Sequence, residues 1–187
     1  MSRHVILTDG LPGATSLLGA RELWRARVPL KVKFFGWLAL HNRLWTSARR
    51  KRHGLQDTDD CALCAQAPES LGHLFLGCTL ARQLWHALLS PIDLGALVPE
   101  QEDLATWWLR QRKRVDKESR PSADSVFLLI AWNLWNHKND QVFGRRAAPN
   151  LVSLRDDTTR EAEDWAQAGY SSLFEVSQAW SRLVFVL

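Results

Sequence analysis

Three cysteines and one histidine sit close together in this chain, as Cys61, Cys64, His73 and Cys78, in the pattern C-x2-C-x8-H-x4-C. Three thiols and one imidazole are the ligand set and number that a tetrahedral zinc ion takes, and no cysteine is left for another purpose. A C-x-x-C pair alone would also suit a redox dithiol, but that chemistry does not call for His73 and Cys78. An odd number of cysteines cannot pair completely within one chain, and Met1–Gly10 lacks the apolar run of a secretory signal. A disulfide framework is therefore disfavoured. Buried cysteines that pack as small hydrophobes are the plain alternative. Four protein ligands leave no open coordination position, so the expected Zn2+ is structural and the chain is not expected to be an enzyme. Glu69, Asp57, Asp59 and Asp60 beside the site read as a polar loop.

The ligands need a scaffold. His73 and Cys78 are five positions apart, a little more than one helical turn. If a helix begins over Leu71–Leu76, a bend at Gly77 would bring the Cys78 sulfur round. Ahead of the cysteines, Arg21–His53 carries ten basic residues, including Lys31, Lys33, Arg43, Arg49, Arg50, Lys51 and Arg52, against one acid, Glu22. Pro29 suits a first helical turn, and a second helical piece is predicted over Thr46–Arg52, stopping at Gly54. Behind the site, Leu80, Leu84, Trp85, Leu88 and Leu89 recur at helical spacing up to Pro91.

Further along, Leu104–Leu109 reads as a short helix and the charged run Arg110–Ser125, with Pro121, as an exposed linker. A strong helix follows over Val126–Phe143, closed by Gly144, and another over Leu151–Ala168. The tail from Gly169 is ambiguous. The expected fold is mainly α, a small helical domain organised around a CCHC zinc site with additional C-terminal helices. Its divisions are a poorly ordered leader at 1–20, the zinc domain at 21–90, a connector and charged linker at 91–125, and a C-terminal helical region at 126–187.

Composition narrows the classes. An apolar fraction of 46% fits a globular chain, and the ten tryptophans are expected mostly as core filling. The net charge of +4 is mild, so its concentration in one segment matters more than its total. No apolar run is long enough for a membrane span, and without a targeting segment the expected location is nucleus or cytoplasm, not a secreted setting.

The order Trp24, Val28-Pro29-Leu30-Lys31-Val32-Lys33-Phe34-Phe35-Gly36-Trp37, Asn42-Arg43-Leu44, Thr46, Arg52, Gly54, the four ligands with Glu69, and Trp85 resembles the reverse-transcriptase zinc-binding domain of plant non-LTR (LINE-type) retrotransposon polyproteins. The resemblance covers about Trp24–Leu89. Ile130–Asn139 with Phe143 is similar to a helix that often follows in such polyproteins. This implies a zinc-bound helical module near a polymerase that helps to grip template or target nucleic acid, with Cys61, Cys64, His73 and Cys78 as its ligands. No polymerase motif accompanies it, so the sequence resembles a detached piece of the polyprotein.

Two functions compete. The basic segment, interleaved with Trp24, Phe34, Phe35, Trp37 and Trp45, could hold RNA or DNA non-specifically through phosphate contacts. Helical spacing turns those aromatics inward, and a solvated basic face weighs equally against binding. The alternative is a zinc-stabilised interaction module, or a non-functional retroelement remnant, whose Trp132 and Trp135 would dock onto the reverse-transcriptase domain of the parent polyprotein.

Overall fold

A computed structural model describes residues 18–97, 103–145 and 148–183. Most of the expected leader, and the end of the expected connector, lie outside these residues. The described chain is helical, with no β-strand beyond one isolated bridge between Asp60 and Pro68. Eight α-helices follow in order: α1 (Ala20–Arg25), α2 (Leu30–Leu40), α3 (Ser47–Arg52), α4 (Thr79–Leu89), α5 (Leu104–Arg114), α6 (Arg120–Val142), α7 (Leu151–Gln167) and α8 (Phe174–Leu183).

Local chemistry sets the helix starts. Pro29 stands just before α2, where its missing N–H costs nothing. The Thr46 hydroxyl accepts from Arg49 N–H to cap α3, and the Asn150 side chain accepts from Ser153 N–H to cap α7. Gly54 follows α3 in the left-handed region (φ 67°), as a helix stop requires.

Helix α6 is the axis of the fold. Residues 123–131 are buried all round, which is the mark of a helix enclosed by neighbours on every side. It packs against α1, α2, α4, α5 and α7. Trp85 on α4, Trp107 on α5 and Phe127 on α6 meet edge-to-face at 5.1–6.0 Å, and Phe35 on α2 meets Phe75 and Trp132 in the same way. The helices before and after the cysteines thus share one apolar core.

One expectation fails here, and one open point is filled. Arg110–Ser125 is not an exposed linker: α5 runs on to Arg114 and α6 starts at Arg120, with Pro121 in its first turn. Charges that look solvated in sequence neutralise one another inside. Arg112 Nε lies 2.9 Å from Asp124, which also accepts from Trp108 Nε1. Arg120 Nε donates to the carbonyls of Arg112 and Val115 at the α5 end. Of the tail left ambiguous in the sequence, residues 174–183 form α8. Trp180 on α8 is buried and donates from Nε1 to the Leu88 carbonyl at 2.7 Å. Trp180→Phe, which leaves that carbonyl without its donor, is expected to cost about 1–3 kcal/mol in a urea titration. A cost near zero would mean that α8 does not stay docked.

Trp85, Trp107, Trp108, Trp165 and Trp180 do fill the core. Near the basic segment the inward expectation holds only for Phe35 and partly for Trp37. Trp24, Phe34 and Trp45 are 43–54% exposed. Among the described residues, no helix is long and apolar enough to cross a membrane.

Candidate metal centre

The metal loop is built by the narrow hairpin that the Asp60–Pro68 bridge closes. Cys61 N–H donates to the Ala67 carbonyl, Glu69 N–H to that of Asp59, and Ala65 N–H to that of Cys61. Ala65 turns the chain with φ 53°, in the left-handed region. Cys61 and Cys64 thereby face one point from one turn.

The second ligand pair uses a device that the sequence reading missed. His73–Gly77 is a π-helical turn, and Cys78 N–H donates to the His73 carbonyl five residues back at 2.6 Å. A π turn brings residues five apart onto one side. Cys78 itself is extended, immediately before α4. The expected bend at Gly77 is therefore a widened turn. Gly77 is not in the left-handed region, and a Cβ there would come no closer than 3.5 Å to His73 Nδ1.

Together these elements bring all four expected ligand atoms within 4.8 Å of one another, a cluster that could hold a metal ion. The Cys61 and Cys78 sulfurs are 4.0 Å apart, and Cys64 Sγ is 3.3 Å from His73 Nε2. Tetrahedral zinc with bonds of about 2.0–2.3 Å requires ligand separations of about 3.5–3.8 Å. The two observed separations bracket that range, and the widest spacing in the cluster, up to 4.8 Å, must close by about 1 Å for all four donors to share one ion. Cys61 and Cys78 are buried, and Cys64 and His73 half-buried.

The electrostatics are divided: Cys78 and His73 are biased toward their metal-binding forms, whereas Cys61 holds its proton until a cation displaces it. The Cys61 thiol is pushed far up, first by donating its S–H to Cys78 and then by burial. Accepting that bond draws Cys78 down. Burial lowers His73 while the charge of Glu69 opposes the shift, so its ring favours the neutral form that coordinates metal.

Glu69 is the functional side chain that the sequence reading placed wrongly. It is not part of a polar loop but completely buried. Its carboxylate accepts from Ala62 N–H between the first two ligands at 3.3 Å, and from Ser47 N–H at the start of α3 at 2.9 Å. Lys138 on α6, 1% exposed, lies 3.2 Å from the same carboxylate and donates to the Trp45 carbonyl at 3.1 Å. Asp57 and Asp60 remain exposed, and Asp59 pairs with Lys51 at 2.9 Å.

The basic candidates divide. Lys31, Arg43, Lys51 and Arg52 are exposed, while Lys33, Arg49 and Arg50 are half-buried. Lys31 lies 3.8 Å from Glu161, and Lys33 donates to the Trp24 carbonyl. Arg49 lies over the Trp45 ring at 5.0 Å and Arg50 over Phe143 at 6.0 Å. Trp132 and Trp135 are not free anchors. Both pack on Phe35, Trp132 Nε1 donates to Glu161, and Lys138 covers Trp135 at 4.7 Å.

Residues 13–85 match the sequence model of the family described as zinc-binding in reverse transcriptase. The chain is also 24% identical over 175 residues to an Arabidopsis thaliana protein that bears a ribonuclease H name. That similarity covers 89% of this chain but 26% of the relative, so the chain spans about a quarter of the relative's length. No solved structure matches.

Proposed function

We propose that residues 13–85, which match the family described as zinc-binding in reverse transcriptase, form such a domain, that Cys61, Cys64, His73 and Cys78 hold one structural Zn2+, and that the basic helix beside it binds nucleic acid. Binding is non-specific, through phosphates, and accessory to a polymerase. One observation carries the reading: the buried Glu69 carboxylate bonds both the metal loop and the first turn of α3. The metal loop thereby fixes the direction in which Arg49, Arg50, Lys51 and Arg52 project. Arg43 extends the same basic surface, and Lys31 and Lys33 stand on α2. The site has the parts of a rigid electrostatic grip.

Exchanging Arg49, Arg50, Lys51 and Arg52 for alanine tests it. Affinity for RNA or DNA is expected to drop by tenfold or more at low salt, with a flatter dependence of log K on log salt. Equal binding by variant and parent would refute the assignment.

A second reading has its own support. Leu30, Phe34 and Leu38 form an exposed stripe along α2, extended by Trp24, whose ring meets Phe34 edge-on at 5.6 Å. Apolar side chains at i, i+4 and i+8 with no covering element among the described residues mark a docking face. On this reading the zinc-stabilised fold presents α2 to the polymerase domain of a parent polyprotein. Association through that face would barely respond to salt, whereas phosphate binding weakens steeply.

A further inference from the structure

Helix α3 is flanked by two exposed aromatic rings, each with cations against it. Trp45, 45% exposed, carries the Arg49 guanidinium over its face and the His53 ring edge-on at 5.3 Å. Phe143, 55% exposed at the end of α6, lies beneath the guanidinium groups of both Arg50 and Arg145. Neither ring fills the core, and core packing does not account for aromatic side chains held open in a basic surface. Arg49 donates from Nη1 to the Asn42 carbonyl at 2.8 Å, which holds its guanidinium beside Trp45 at the rim of the basic surface. Arg49 and Arg52 also line a cleft of about 340 Å³ with Asn42, Thr46 and Ser70.

A duplex offers phosphates but keeps its base faces stacked inside, so it can use the arginines and not the rings. A single strand can use both, stacking unpaired bases on aromatic faces while arginines hold the backbone. We infer that this face binds single-stranded nucleic acid, with Trp45 and Phe143 as base platforms and Arg49, Arg50 and Arg52 as phosphate contacts. The inference rests on the nucleic-acid reading above and narrows it to unpaired strands. Charge complementarity selects a polyanion, and the open rings select one whose bases are free.

The test uses the zinc-loaded full chain with a fluorescein-labelled oligothymidine and a mixed-sequence duplex of equal length, compared by anisotropy at matched salt. The single strand is expected to bind more tightly. Trp45→Ala should lose about tenfold or more on the single strand and little on the duplex, with Trp45→Phe retaining most of the affinity. The Lys138 bond goes to the Trp45 backbone carbonyl and survives either change. Phe143→Ala gives a second readout at a residue outside the core. Duplex preference, or unchanged single-strand affinity in both alanine variants, overturns the inference even if the fourfold α3 variant still weakens binding. Absence of any binding by the parent chain would sink the nucleic-acid reading itself, and this one with it.

Discussion

Stripping the metal with a strong chelator is expected to abolish the cooperative melt and much of the helical circular dichroism of the cysteine-containing half. Structural zinc contributes on the order of 10 kcal/mol in small peptides, comparable with the entire stability of an ordinary domain. The loop from Cys61 to Cys78 has one bridge and a few turn hydrogen bonds of its own, and it supplies Leu63, Leu71, Leu74, Phe75 and Leu76 to the core. Without the ion, Cys61, Cys78 and half-buried His73 lose the partner that justifies their burial. His73→Ala and Cys64→Ser should reproduce most of the loss, and elemental analysis should find about one zinc per chain of the parent. An unchanged melting curve in those variants would show that the ligand set is wrong.

Acid should act in the same direction. His73 is depressed below its ordinary 6.5 by burial, so between that value and its folded value the unfolded chain takes up the proton and the folded chain does not. The contribution is present above 6.5 and lost as pH falls through the folded value. The thiols add to this, because each must shed its proton to bind metal. Zinc release followed by a chromophoric chelator should therefore steepen on acidification.

The second large effect is expected at Lys138. Lys138→Met should cost about 3–5 kcal/mol in chemical denaturation, because it strands a buried carboxylate with two backbone N–H donors and no counter-charge. Glu69→Gln should cost a similar amount by stranding the ammonium, whose protonated form burial already disfavours while Glu69 opposes that shift. The double variant Glu69→Gln/Lys138→Met should be less damaging than the sum of the two, since each change removes the reason for the other's cost. Additive losses would mean that the two groups are stabilised independently.

Much of this architecture was legible beforehand. Residue type and spacing were enough for the four metal-binding candidates, because zinc chemistry tolerates few alternatives. Apolar periodicity located α2, α4, α6 and α7, and Gly54 and Gly144 marked two helix ends that adopt positive φ. What escaped was whatever depends on partners distant in sequence. Glu69 and Lys138 are 69 positions apart and each looks like a surface residue alone. Arg112 and Asp124 hid the end of α5 and the start of α6 behind apparent solubility for the same reason. Trp24, Phe34 and Trp45 were misread in the opposite sense. For Phe34 the reason is that α2 is apolar on more than one side, so spacing could not tell which of its rings meet the core, while Trp24 on α1 and Trp45 ahead of α3 lie outside that periodic stretch.

The buried lysine has one more consequence. Lys138 comes from α6, outside the stretch that matches the family, yet it supplies the counter-charge for the carboxylate that braces the metal loop and holds the Trp45 carbonyl as well. Truncation after Trp85 would also bare Phe35, whose neighbours include Trp132 and Trp135. Such a fragment is expected to keep its four ligands but to aggregate or bind zinc weakly. The stretch that matches the family is shorter than the length of chain whose side chains brace the metal loop.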